Sequence, residues 1–408
     1  MDNKKKFLMI DGSSLTFRAF YAIRNLTTQD GIHTNAIYGF LTMLFSAIDK
    51  VNPDYIFVAF DKKGPTFRTE EYGEYKGTRE KTPEELNHQF GILRDILEHM
   101  NIKHLALDKY EADDIIGTLS KEIKDDNLYK YLLTGDRDYF QLVDDDTSVL
   151  YTIKGISNLK EFDKKEIEKK YGLSPDKLIE VKGLMGDSSD NIPGVPGIGE
   201  KRAIDLIKEY GSIEGVYENI DKITAKKMKE NLIENEDIAY MSKKLGTIYR
   251  DIDLDCDLES YKVREIDKEE LEKIFTKLEF RGFLNKLGIE KEIDEIEVSY
   301  EYVKNDFDLE SFLRNESISF KVYFDGDIYS KSEFKYFSVK GNGEDIAYIF
   351  DRNSDISIIK NILESDLLKY SFNIKEDMVL FNKEGIDISD PYRDTMIMEY
   401  LIDPSRTN

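Results

Sequence analysis

The sequence predicts an α/β fold whose first half is a parallel sheet covered by helices. Two observations carry that prediction. Short apolar runs alternate with helical patterns, and three of those runs stop at an aspartate. Strands buried on both faces read as continuous apolar runs, and parallel strands need helical crossovers between them.

The elements follow in order. "KFLMID" (6–11) reads as a strand leading into the helical "SSLTFRAFYAIR". Its apolar run is too short for the core of a signal peptide. "NAIYGFLTMLFSAIDKV" is an amphipathic helix, and "DYIFVAFD" (54–61) is the next strand. "EELNHQFGILRDILEHM" is a helix before the strand "IKHLALD" (102–108). A helix opening in "YEADDIIGTL" precedes the strand "YKYLLTGD" (129–136).

The carboxyl ends of parallel strands share one edge, where open α/β folds bind ligands. Asp11, Asp61 and Asp136 end strands there, Asp138 lies two residues on, and Glu111, Asp113 and Asp114 open a helix onto the same edge. Any one of these acids is explained as a helix cap favoured by the backbone dipole. Gathered together they repel unless divalent cations sit among them. Oxygen donors without Cys or His favour Mg²⁺ or Mn²⁺ over Zn²⁺. Cys256 is the only cysteine, which excludes disulfides and cysteine-rich zinc sites and fits a cytoplasmic setting.

Further along, "GLMGDSSDNIPGVPGIGEKRA" places Asp187 and Asp190 before a tight Gly/Pro turn and a new helix. Gly197 and Gly199 permit close backbone approach, and the helix start aims N–H groups at a phosphate, with Lys201 and Arg202 adding charge. The segment "KKGPTFRTEEYGEYKGTREKT" interleaves Arg68, Lys76 and Arg79 with Tyr72 and Tyr75. It reads as an arch over the acidic edge, with basic groups for phosphates and aromatic groups for unpaired bases. The net charge of −24 argues against a nucleic-acid partner when taken alone. Acids that bind cations are neutralised, however, and a local basic strip suffices. No apolar run approaches the length of a membrane span.

Five stretches, "MIDGSSLTFRAFYA", "VAFDKKGPTFRTEEYGEYKGTR", "YEADDIIGTL", "TGDRDYFQLV" and "GDSSDNIPGVPGIGEKRA", together resemble the 5′ nuclease domain of bacterial DNA polymerase I. That family also includes phage 5′ exonucleases and flap endonucleases. The resemblance implies a PIN-like α/β domain over 1–172, with a helical arch, and a helix–hairpin–helix DNA-binding region over 173–288. It implies two-metal cleavage of 5′ flaps, nicked duplex and RNA primer–DNA hybrids by a monomer. Matched by motif, Asp11, Asp61, Glu111, Asp113 and Asp114 stand nearer the scissile phosphate. Asp136, Asp138, Asp187 and Asp190 extend the site to a second cation. Lys76 and Arg79 resemble the arch's catalytic groups, with Arg18 and Tyr21 near the reacting phosphate. Arg68, Tyr75, Gly197, Ile198, Gly199, Lys201 and Arg202 resemble DNA contacts, the hairpin also being a place for K⁺.

After a connector at 289–297, a second α/β pattern covers 298–408 and resembles the first part of the 3′–5′ exonuclease-like, RNase H-like domain of the same polymerases. Lys321 and Tyr323 stand where active members carry an acid pair, and Asp377 remains, so an inactive module is expected. Because that domain is cut short, its strands are expected to lack partners. A ribonuclease of the PIN type has no need of the duplex hairpin. A nuclease-dead binding module has no need of the full acid set. A phosphatase with an aspartate nucleophile wants a second acid after the first strand, which "DGSS" lacks.

Overall fold

The computed structural model describes residues 4–402 except 25, 80, 154, 157, 290–298, 304–306 and 327–328. The chain divides into two units, Met1–Glu290 and Lys291–Asn408.

The first unit is built on a sheet of strands β1 (Lys5–Asp11), β2 (Tyr55–Ala59), β3 (Lys103–Leu105), β4 (Leu128–Thr134), β5 (Thr147–Thr152) and β6 (Leu159–Phe162), in the order β3-β2-β1-β4-β5-β6. All pairs are parallel except β5 with β6. Strand periodicity splits the apolar runs between two cores. Leu8, Ile10, Ile56 and Val58 face α1 (Gly12–Ala22), α2 (Asn35–Val51) and α4 (Glu84–His99). Phe7, Met9, Tyr55 and Phe57 face α5 (Ala112–Glu122) and the 3₁₀ turn Arg137–Leu142. Each fully buried Phe or Leu is worth about 1.5–3 kcal/mol of transfer free energy. β5 and β6 extend the sheet beyond the strands expected from sequence. Between β2 and α4 the arch segment carries a single short helix, α3 (Phe67–Glu71), followed by turns.

The helical part begins at α6 (Lys164–Tyr171) and α7 (Leu178–Met185). α8 (Glu200–Tyr210), α9 (Ile213–Glu218), α10 (Lys226–Glu234) and α11 (Glu236–Gly246) follow. α7 packs on α8 and α11 around Val181, Leu184, Ile198, Ala203 and Leu206. The chain then returns to the first unit's core through α12 (Lys268–Lys277) and α13 (Arg281–Lys286).

The second unit has its own sheet. Its strands are β7 (Ser299–Tyr302), β8 (Ser317–Phe324), β9 (Phe334–Gly341), β10 (Ile346–Asp351), β11 (Leu368–Ser371) and β12 (Tyr392–Asp394), in the order β12-β11-β8-β9-β10-β7. Helices α14 (Leu309–Phe312), α15 (Ile356–Leu363), α16 (Ile374–Asn382) and α17 (Thr395–Ile402) complete it. The expectation of unpartnered strands is corrected here: each of these strands pairs, around a core of Phe320, Phe337, Phe350, Ile362 and Phe381. Just past the expected connector, Ser299–Tyr302 forms edge strand β7, paired with β10. The expected linker itself lies outside the described residues apart from Ile289.

Candidate active site

β1 is flanked by β2 and β4, so Asp11 at the end of β1 meets Asp61 and Asp136, two residues past β2 and β4, at one edge. Asp11 caps α1, accepting from Ser14 N at 2.9 Å and from Thr134 Oγ1 at 3.2 Å. Asp61 accepts from Ala112 N at 2.8 Å, which ties the β2 end to the start of α5. Asp136 caps the 3₁₀ turn through Asp138 N at 2.9 Å. With Glu111 and Asp113 these acids line a pocket of about 230 Å³, shared with Ser13, Ser14, Tyr139, Lys76 and Arg79. Burial and the neighbouring Asp61 push Asp11 up to about 7. Asp113 is pushed well above the ordinary carboxylate range by burial and by Asp114. Burial also acts to raise Glu111, but Lys76 and Arg68 outweigh it and hold the group below its ordinary value.

Asp113 Oδ1 is buried and has no hydrogen-bond partner among the described residues. Ligand oxygens of Glu111, Asp113 and Asp114 lie within 4.8 Å of one another, and so do those of Asp138, Asp187 and Asp190. An orphaned carboxylate oxygen facing other hard oxygen donors fits a divalent cation.

The second group depends on a folded loop. Asp187 and Ile192 exchange backbone hydrogen bonds of 2.8 Å each, closing "DSSDNI" into a hairpin. Gly186 (φ +71°) and Gly194 (φ +62°) lie back to back at its base. A Cβ on Gly194 would stand 2.3 Å from Gly186 N, so no side chain fits. Asp187 accepts from Ser189 N at 2.8 Å, while Asp190 is buried. Lys182 of α7 donates to Asp138 and, at 2.8 Å, to Asp187. Sequence reasoning missed Lys182. A lysine five residues before Asp187, in a helix whose only other charged residue is Glu180, was the available signal.

The arch segment bridges both groups. Lys76 Nζ donates to Glu111 Oε1 at 2.6 Å, and Lys76 N donates to Asp190 O at 2.9 Å. Arg79 reaches Asp190 Oδ1 at 2.5 Å, and Asn191 holds Glu74 O at 2.7 Å.

Five residues stand elsewhere than their motifs suggested. Arg68, expected to touch DNA, is 1 % exposed. It grips both oxygens of Asp114 at 2.8 and 2.7 Å, Glu111 at 3.0 Å, and the carbonyls of Leu245 and Thr247. A guanidinium beside a buried carboxylate gains more from that fork than from solvent. Asp114, expected as a metal ligand, is fully buried with both oxygens taken by Arg68, and it lies outside the pocket lining. Tyr75, expected to stack on a base, is 5 % exposed and donates to Glu111 at 3.0 Å. Tyr21 is 63 % exposed against Phe20 and does not line the pocket. Arg18 donates to Gly155 O at 3.0 Å, with its stem beside Gly135.

In the hairpin before α8, Gly197 has φ +79° and its carbonyl accepts from Arg202 at 2.7 Å. Ile198 is buried in the helical core, whereas Gly199 and Lys201 are exposed. A cation already faces the Gly197 carbonyl, which counts against K⁺ there.

Two family models match in tandem: 5′–3′ exonuclease, N-terminal resolvase-like domain, over residues 6–172, and 5′–3′ exonuclease, C-terminal SAM fold, over 173–269. DNA polymerase I of Bacillus subtilis (strain 168) is 38% identical over 412 residues, covering 100% of this chain and 47% of the relative. DNA polymerase I of Streptococcus pneumoniae serotype 4 is 39% identical over 413 residues, with 100% and 46% covered. The chain spans about half the length of the curated relatives it matches. Among solved structures, T5 5′-exonuclease with bound divalent zinc ions has a TM-score of 0.50 at 25% identity, covering 60% of this chain and 90% of that one. A bacteriophage T5 flap endonuclease complex with DNA and metal ions shares the fold, with a TM-score of 0.50 at 22% identity and 70% and 100% covered. Among the described residues, no helix is long and apolar enough to cross a membrane.

Proposed function

The chain belongs to the 5′–3′ exonuclease family over residues 6–269, and on that premise we propose a metal-dependent, structure-specific nuclease acting on 5′ flaps, nicked duplex and RNA primer–DNA hybrids. We place it in DNA repair and replication, as a monomer in the cytoplasm, within a protein of the DNA polymerase I type. The observation that carries the reading is the pocket that Asp11, Asp61, Glu111, Asp113 and Asp136 line together, Asp113 also keeping a buried oxygen, Oδ1, without a hydrogen-bond partner among the described residues. These residues would hold one cation, and Asp138, Asp187 and Asp190 a second. The donor chemistry suits Mg²⁺ or Mn²⁺. Such a pair of cations supplies hydroxide from water and stabilises the attacking and leaving oxygens of the phosphodiester.

The chain's own residues do the rest. Asp114 and Arg68 hold Glu111 and the start of α5 in place from behind. Lys76 and Arg79, at the pocket, meet charge on the reacting phosphate. Gly197 and Gly199 would offer backbone amides, and Lys201 and Arg202 charge, to the duplex backbone, while the Ile198 amide is spent on Val195 O. Arg18, one turn after Ser14, would steady the cleaved strand once released from the Gly155 carbonyl.

The test is cleavage of an end-labelled 5′ flap and a nicked duplex, with and without Mg²⁺. Release of the flap only with Mg²⁺, lost in Asp113→Asn with flap binding kept within several-fold, supports the reading. Equal loss of binding and cleavage would make these acids structural.

We read the second unit as an inactive relative of a 3′–5′ exonuclease domain. Lys321 Nζ lies 2.8 Å from the fully buried Asp377, which also accepts from Ser371. Asp394 spends its oxygens on Asn373 N and Ile374 N at 3.1 and 3.0 Å. A lysine thus holds the place where a cation would be needed.

A further inference from the structure

We propose that Lys182 is a resident counter-charge that sets how tightly Asp138, Asp187 and Asp190 bind a divalent cation. The inference rests on reading those three acids as the second cation site.

Three features single out this lysine. Its ammonium bridges two of the three carboxylates, Asp138 and, at 2.8 Å, Asp187. It is buried, and its stem fills the space against Gly246, where an added Cβ would lie 2.9 Å from Lys182 Cδ. It also sits within α7, which is packed on α8 and α11. Arg79, the basic group on the third acid, is exposed on the arch and has solvent to move into. Lys182 has no such exit, so a cation arriving at this group enters beside a fixed positive charge.

The arithmetic decides the consequence. With Asp138 ionised and Arg79 moved off Asp190, three carboxylates and one ammonium carry a net charge of −2, which a single divalent cation balances. Without Lys182 the acids would carry −3, repel one another in the metal-free protein, and attract a cation more strongly. Lys182 therefore stabilises the empty site at the expense of the filled one. Burial acts to raise Asp187, but Lys182 and Ser189 outweigh it and keep the group below the ordinary carboxylate range, in line with the bridge.

The test is Mn²⁺ binding to the full chain, followed by the electron paramagnetic resonance signal of free Mn²⁺, together with thermal melting. Wild type, Lys182→Met, Lys182→Arg and Asp187→Asn are compared. Two classes of site are expected, the weaker one lost in Asp187→Asn. Lys182→Met should tighten the weaker class by about tenfold or more, the order expected when a unit charge is removed a few ångströms from a divalent ion. It should leave the tighter class within about twofold, since Lys182 touches none of the first group. Lys182→Arg should stay near wild type. The melting temperature of metal-free Lys182→Met should fall, and its rise on adding Mn²⁺ should exceed that of wild type. A lysine that is merely structural would lower both states equally. Lys182→Gln, which keeps a donor to one carboxylate, gives an intermediate shift and serves if the Met variant does not fold. An unchanged or weakened second class in both uncharged variants overturns the inference. If wild type binds one Mn²⁺ and Asp187→Asn changes nothing, the second-site reading itself falls, and the inference with it.

Discussion

Lys76 is tied to Glu111, its ammonium 2.6 Å from Oε1. In the proposed nuclease, cations on the acids would take over that carboxylate and free the ammonium for phosphate. Electrostatic groups aimed at developing charge commonly contribute ~10²-fold or more. Lys76→Ala should therefore slow single-turnover flap cleavage by about that factor while duplex binding changes little. A rate within about twofold of wild type would reduce Lys76 to a counter-ion. The raised acids give a pH effect of definite sign. Burial and Asp61 lift Asp11 to about 7, and burial and Asp136 lift Asp138 to about 7, from an ordinary value of 3.8. Between those values the folded chain holds protons that the unfolded chain has released, so stability falls as pH rises through that window. Glu111 and Asp187, held below their ordinary values of 4.5 and 3.8, act in the opposite sense, Asp187 below the window and Glu111 no higher than its acid end. In EDTA the nuclease unit should melt higher at pH 5 than at pH 7.5. Asp11→Asn should flatten that difference, and Mg²⁺ should abolish it.

Elements differ in how far the sequence reveals them. The strands ending in Asp11, Asp61 and Asp136 are legible because buried parallel strands leave long apolar runs, and the helix between them repeats on its own period. The "GDSSDNIPG" turn is legible from its glycines and the spacing of its acids. Arg68 and Tyr75 are not. A basic and an aromatic residue in a charged loop read as solvated, and only the tertiary placement of Asp114 and Glu111 draws them inside. The same limit hid Lys182, whose helix was recognised while its ammonium's destination was not. Edge strands β6 and β7 were missed because their short, polar runs carry no burial pattern. The hairpin before α8 is the element whose function is most separable. Lys201 is exposed and outside the acid groups, so Lys201→Ala should weaken duplex binding and lower the slope of log affinity against log salt by about one. The cleavage rate of bound substrate should stay unchanged. An unaltered slope would remove this hairpin from the DNA path.

At the level of the whole molecule, each unit keeps its own buried clusters, which implies two thermodynamic units. The second unit should show no shortening of a 5′-labelled, 3′-recessed duplex, even with Mn²⁺. Two-metal hydrolysis needs several carboxylates, and here a lysine occupies Asp377. Stepwise 3′ shortening that disappears on Asp377→Ala would reverse that assignment. Substituting Lys321 alone should not create activity, because Tyr323 leaves the strand without a second acid.

The loop after α7 has one more consequence, in the matter of length. It leaves the helix at Gly186, carries Asp187 and Asp190, and reaches Gly197 only seven residues after Asp190. Its base is pinned, with Gly186 against Gly194 and Asp187 paired to Ile192. The second acid group and the turn before α8 are therefore joined by a short, fixed tether. In the proposed nuclease, the scissile bond would stand a fixed step from the held duplex, whatever the length of the free 5′ strand. The products of long and short flaps should then share one terminus, as lengths cut against the same gauge.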